Sequence, residues 1–106
     1  MDKPVRMTYA TSMVLQALDR GYRYGFDILA ATGLRSGTVY PLLRRFETAR
    51  LVRSKWEPVT VARSSNRPPR KYYELTSLAG PLVLEATRRF PALEARPDGM
   101  ATGEME

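Results

Sequence analysis

Residues 36–47 read Ser36-Gly37-Thr38-Val39-Tyr40-Pro41-Leu42-Leu43-Arg44-Arg45-Phe46-Glu47, and this stretch decides the fold. Val39, Leu42, Leu43 and Phe46 recur at helical spacing, which places them on one face of a helix. Ser36 is an N-cap type of residue, so the helix is predicted to start there and to end near Ala49 or Arg50. Pro41 falls near the end of the first turn, where its missing N–H costs at most about one backbone hydrogen bond. The opposite face then carries Gly37, Thr38, Tyr40, Pro41, Arg44 and Arg45.

Working upstream, residues 1–6 read as a short flexible arm. From Met7 to about Arg20, the residues Ala10, Met13, Val14, Ala17 and Leu18 form one apolar stripe of an amphipathic helix, with Gly21 as its stop. A shorter helix fits Phe26 to Thr32, with Gly33 closing it. Downstream the period changes. Leu51 to Glu57 reads as a strand continuing toward Val61, residues 62–69 (ARSSNRPP) as a basic, turn-rich loop, and residues 70–75 (RKYYEL) as a second strand. Thr76 is predicted to cap a last helix running to about Phe90, either kinked at Gly80-Pro81 or regular only from Pro81. Residues 93–106, rich in Pro, Gly and charge, read as a disordered tail. Three helices, a hairpin and a helix make a mainly α chain with a small β-hairpin, the order of a winged helix-turn-helix. The expected layout is a DNA-binding domain over 1–75, a dimerisation helix over 76–92 and the tail.

Composition narrows the function. The 106 residues allow one modest core, and dimer burial would add to its stability. There is no Cys and no His, which excludes Ser-His and Cys-His nucleophile systems. The acidic residues show no ligand spacing, so no metal or other cofactor is expected, and no enzymatic activity. No apolar run is long enough for a membrane span, and the opening MDKPVRMTYATSM has no signal-peptide core, so a cytoplasmic location is expected. The net charge of +6 is concentrated: residues 35–72 hold ten basic side chains and two acids, Glu47 and Glu57. Such an excess in one third of a chain suits a polyanion.

The exposed face of the central helix suits duplex DNA in particular. Ser36, Gly37 and Thr38 sit at a helix N-terminus, where free N–H groups and the dipole favour phosphate. Tyr40 offers a phenolic donor, Pro41 and the Thr38 methyl suit thymine methyls, and Arg44 reaches a phosphate or a guanine edge, with Arg45 beside it on the DNA-binding face. At the hairpin tip, Arg63, Asn66, Arg67, Arg70 and Lys71 suit phosphates or a narrow minor groove. Trp56 and Tyr73 are expected to cover the helix–sheet core. A stacking platform of Trp56, Tyr72 and Tyr73 for single-stranded nucleic acid is an alternative, as is a winged-helix interaction module that turns its basic face to an acidic protein.

These stretches resemble the PadR family of transcriptional regulators. Tyr24-Gly25-Phe26-Asp27-Ile28 looks like its Y-G-Y-E-I segment, and residues 36–47 like its G-T-L-Y-P-x-L-x-R-L-E helix. Leu51-Val52 with Trp56-Glu57 resembles its next strand, and Arg70-Lys71-Tyr72-Tyr73-Glu74-Leu75-Thr76 with Gly80 its R-K-Y-Y-x-L-T-x-x-G. The resemblance implies a homodimeric regulator, usually a repressor, on a palindromic operator, with Thr38, Tyr40, Pro41 and Arg44 on DNA and the last helix in the dimer contact. The short region after Thr76 resembles the small branch of the family. Some members of that branch hold planar drugs between dimer-helix aromatics that include a Trp. Here the last helix has only Phe90, so that pocket is not expected, and the sequence points to no particular small-molecule effector.

Overall fold

The computed structural model describes residues 5–91, so the expected tail over 93–106 and most of the arm over 1–6 lie outside the described residues. The elements are α1 (Tyr9–Asp19), α2 (Gly25–Thr32), α3 (Ser36–Thr48), β1 (Val52–Trp56), α4 (Val59–Ser64), β2 (Lys71–Leu75), a 3-10 turn (Ser77–Ala79) and α5 (Gly80–Arg89).

Helix α1 starts at Thr8, whose hydroxyl oxygen accepts from the Thr11 N–H at 3.1 Å. It ends at Gly21, which has a left-handed φ of 99°, with the Tyr22 N–H reaching back to Ala17 O at 3.1 Å. The sequence suggests a single apolar stripe, but every residue from Thr11 to Leu18 is buried. The reason is position: α2, α3, β2 and α5 all contact α1. Its polar residues are paired inside. Ser12 Oγ donates to Ala86 O at 3.1 Å, and Gln16 Nε2 donates to Ser12 Oγ at 2.8 Å and to Phe90 O at 2.6 Å. Those carbonyls lie at the end of α5, where Ala86 O also accepts the Phe90 N–H at 2.8 Å and Phe90 O lies past the last helical turn. Ala79 and Ala86 join Leu15, Ile28, Leu43, Phe46 and Val52 in one core.

Helix α3 buries Val39, Leu43 and Phe46, with Leu42 half-buried, as the spacing requires. Its start differs from expectation by one residue: Arg35 is the N-cap and makes no side-chain capping bond, while Ser36 is already helical. The end closes with the Leu51 N–H on Phe46 O at 2.8 Å, which places Arg50 at a φ of 64°.

Strands β1 and β2 pair antiparallel, Val52 opposite Leu75 and Trp56 opposite Lys71. A bridge from Tyr24 to Tyr72, with the Tyr73 N–H on Arg23 O at 2.8 Å, adds the segment before α2 to the other edge of β2. The hairpin connection corrects the sequence reading. The strand does not run on to Val61 and the loop does not begin at residue 62: residues 59–64 form α4, with Ala62 buried, and the turn-rich connection starts only at residue 65. Asn66 ends that helix in the left-handed region at a φ of 58°, and the Arg67 N–H returns to Ala62 O at 3.1 Å. Asn tolerates that conformation better than most residues. A second correction concerns Trp56, which does not cover the core but is 63% exposed, whereas Tyr73 is buried as expected. Thr76 also differs: its hydroxyl donates to Arg50 O at 2.7 Å instead of capping a helix. Of the two readings of Gly80-Pro81, the regular helix beginning beside Pro81 holds, preceded by the 3-10 turn.

Candidate nucleic-acid interface

The buried stripe of α3 forces its other side outward. Ser36, Gly37, Thr38, Tyr40, Pro41, Arg44 and Arg45 are all exposed. Tyr40 is held partly by Gly25, the first residue of α2. A Cβ on Gly25 would stand 2.4 Å from a Tyr40 ring carbon and 2.5 Å from its hydroxyl. The glycine therefore leaves room for the hydroxyl end of the ring to approach the start of α2, with Tyr40 as a whole 40% exposed.

The hairpin is fixed to the helices by a polar network built on its one buried acid. Glu57 takes both Arg67 guanidinium nitrogens, at 2.6 and 2.7 Å, and accepts the Arg70 N–H at 3.2 Å. Tyr24 donates to the Tyr72 hydroxyl at 3.1 Å, and Tyr72 donates to Glu57 at 3.2 Å. The Arg67 hydrogen bonds hold the Glu57 carboxyl at a pKa of about 2 despite its burial. The bond from Tyr24, with burial and the Glu57 charge, raises the Tyr72 phenol to about 12. At the C-terminal end of α3, Glu47 accepts from Ser54 and lies 3.7 Å from Lys71 Nζ. Burial pushes the Tyr73 phenol up, and the Glu47 charge adds to that shift.

The structure thus separates the basic residues singled out by sequence. Arg63 and Asn66 are exposed on α4 and just after it, and Arg70 is exposed with its guanidinium 4.6 Å from the Tyr24 ring centre. Arg67 turns inward to Glu57, so it positions the wing where sequence reading had it reach outward. Glu57, Tyr24, Tyr72 and Glu47 were not anticipated as positioning residues. A signal for two of them was present: Glu47 and Glu57 are the only acids between residues 35 and 72. Each is bound to a wing cation.

Three helices followed by a braced hairpin define a winged helix-turn-helix protein whose α3 and wing present exposed basic residues. The PadR-like transcriptional regulator family matches residues 14–85, and the chain belongs to that family. Among solved structures, a PadR-like transcription factor from Bacteroides fragilis is 27% identical over 79% of this chain and 82% of its own, with a TM-score of 0.61. A PadR family transcription regulator from Clostridium difficile shares the fold at 22% identity, over 86% of this chain and 96% of its own, with a TM-score of 0.65. No curated protein matches. The chain is accordingly a DNA-binding transcription regulator and not an enzyme. Among the described residues no helix is long and apolar enough to cross a membrane.

Proposed function

We propose that the protein represses transcription as a homodimer on a palindromic operator, each protomer laying α3 in the major groove. The observation that carries this reading is the exposed face of α3. Thr38, Tyr40, Pro41, Arg44 and Arg45 combine phosphate donors, methyl-contacting groups and guanidinium on one groove-sized helix, beside Ser36 and Gly37 at its N-terminus. Arg63, Asn66, Arg70 and Lys71 follow the backbone from the wing, and Arg67 holds the wing in place. Family membership favours this reading over an acidic protein partner.

Residues 5–75 make the DNA-binding part, and residues 76–91 supply the dimer contact. Leu84 on α5 and Leu78 in the 3-10 turn before it, each 60% exposed, leave apolar surface uncovered and support a contact with a second copy there. Two recognition helices would then lie about one DNA turn apart, ~34 Å.

Substitution Arg44→Ala tests the interface. It is expected to weaken operator binding by about 1–3 kcal/mol and to relax discrimination at one base pair if Arg44 reads guanine. A uniform loss with a shallower salt slope assigns Arg44 to phosphate. Unchanged affinity on every duplex removes it from the interface.

A further inference from the structure

The hairpin carries an exposed ring that its own fold does not use. On β1, Val52, Ser54 and Trp56 share one face by alternation. Val52 enters the core and Ser54 bonds Glu47 on α3, but Trp56 runs past these anchors and meets only the rim. Its neighbours there are Phe26, 73% exposed at the start of α2, and Tyr40 on the outward face of α3. Together with Arg70 and Lys71 they line an open cleft of about 230 Å³ between α3 and the hairpin. Lys71 Nζ stands 5.8 Å from the Trp56 ring centre and 5.7 Å from that of Tyr73.

We propose that this cleft receives the sugar–phosphate backbone of the duplex strand flanking the major-groove contact. Trp56 and Phe26 pack on deoxyribose, and Arg70 and Lys71 meet the adjacent phosphates. The inference rests on the DNA-binding reading of α3 and adds an apolar, salt-insensitive part to the affinity. Three observations select this occupant. The cleft is continuous with the α3 face, because Tyr40 belongs to both. Its lining holds two cations and no acid, and Glu47, 3.7 Å from Lys71 Nζ, is not part of that lining. Its volume is below the ~300–1,000 Å³ typical of small-molecule sites, which suits one unit of a polymer crossing an open groove. Exposed aromatics interleaved with cations are a recurrent way to hold a nucleic-acid strand.

Trp56 is the only tryptophan in the chain, so its fluorescence reports on the cleft directly. The wild type and Trp56→Ala, Trp56→Phe and Lys71→Ala are titrated with duplexes tiling the DNA upstream of its own gene, with a scrambled duplex at low salt, and with the single strands. Anisotropy of labelled DNA and Trp56 accessibility to acrylamide are read together, with thermal melts confirming that each variant folds. Duplex binding is expected to shield Trp56. Trp56→Ala should lose about tenfold in affinity at an unchanged salt slope, and Trp56→Phe should recover part of it. Lys71→Ala should lower the slope by about one. Duplex binding by anisotropy without shielding of Trp56 overturns the proposal and leaves the α3 interface standing. So does wild-type affinity in Trp56→Ala, or stronger shielding by single strands than by duplex. If no duplex binds at low salt, the DNA-binding reading fails and this inference falls with it.

Discussion

Replacing Gly25 with Ala tests how the start of α2 positions Tyr40 on α3. The new methyl carbon would stand 2.4, 2.5 and 2.6 Å from Cε1, Oη and Cζ of Tyr40. Carbon atoms rest at about 3.5–4.0 Å, so the ring must withdraw by about 1 Å. Tyr40 is 40% exposed and has solvent to move into, so the backbone need not shift. Lost ring packing and an off-rotamer side chain cost about 1–2 kcal/mol. Alanine's helix preference offsets at most about 1 kcal/mol, and less in a first turn. The net loss of stability is therefore small, about 0.5–1 kcal/mol. On the proposed DNA interface the displaced phenol would also lose a hydrogen bond to phosphate. That is worth about 1 kcal/mol, or roughly fivefold in Kd. Urea unfolding and duplex binding are measured for Gly25→Ala, Tyr40→Ala and the double variant. In the Tyr40→Ala background the methyl should cost nothing or stabilise slightly. An equal penalty in both backgrounds would show that Gly25 does not act through Tyr40 and would refute the reasoning.

Three further outcomes are expected. Glu57 sits at a pKa of about 2 against an ordinary 4.5, so the stability it lends is full above about pH 4.5 and is lost as pH falls toward 2. The difference in unfolding free energy between wild type and Glu57→Gln should shrink across that window; a difference that stays constant removes the Glu57–Arg67 pair as its cause. Gln16→Leu leaves the buried end of α5 short of donors and should cost about 1–3 kcal/mol, with hydrogen exchange rising in α5 before the hairpin; unchanged exchange there contradicts the assignment. Leu84→Glu lies on an exposed position and should yield a folded monomer by sedimentation, without the damage of deleting α5, which would uncover Ser12 and Gln16. A variant that remains dimeric places the dimer contact elsewhere.

Much of this was legible in the sequence because the decisive signals are local. The spacing of Val39, Leu42, Leu43 and Phe46 depends on one helix alone, and its exposed face follows from geometry. The buried state of Tyr73 follows from strand alternation. What was not legible depends on partners distant in sequence. Helix α4 is short and its sequence, VTVARS, has two β-branched valines and a threonine, so local preference points to a strand. It is held instead by burial of Ala62 and by the left-handed Asn66. Arg67 reads as a loose cation until Glu57, ten residues earlier, is brought against it. Trp56 obeys the alternation that buries Val52, yet lies beyond the edge of the core, and no periodicity encodes where a core stops. Ser12 and Gln16 look like the polar side of a surface helix because their partners are carbonyls more than seventy residues away.

The central claim, that α3 reads duplex sequence, is tested most directly by one affinity ratio. Duplexes that the protein selects from its own genomic DNA are compared with scrambled versions of the same composition, by fluorescence anisotropy over a range of salt concentrations. The selected duplex should bind ~10³-fold or more tightly, binding to both should weaken steeply with salt, and the preference should persist as it does so. A ratio near one at every salt concentration would contradict it, leaving a basic surface that binds polyanions without reading them.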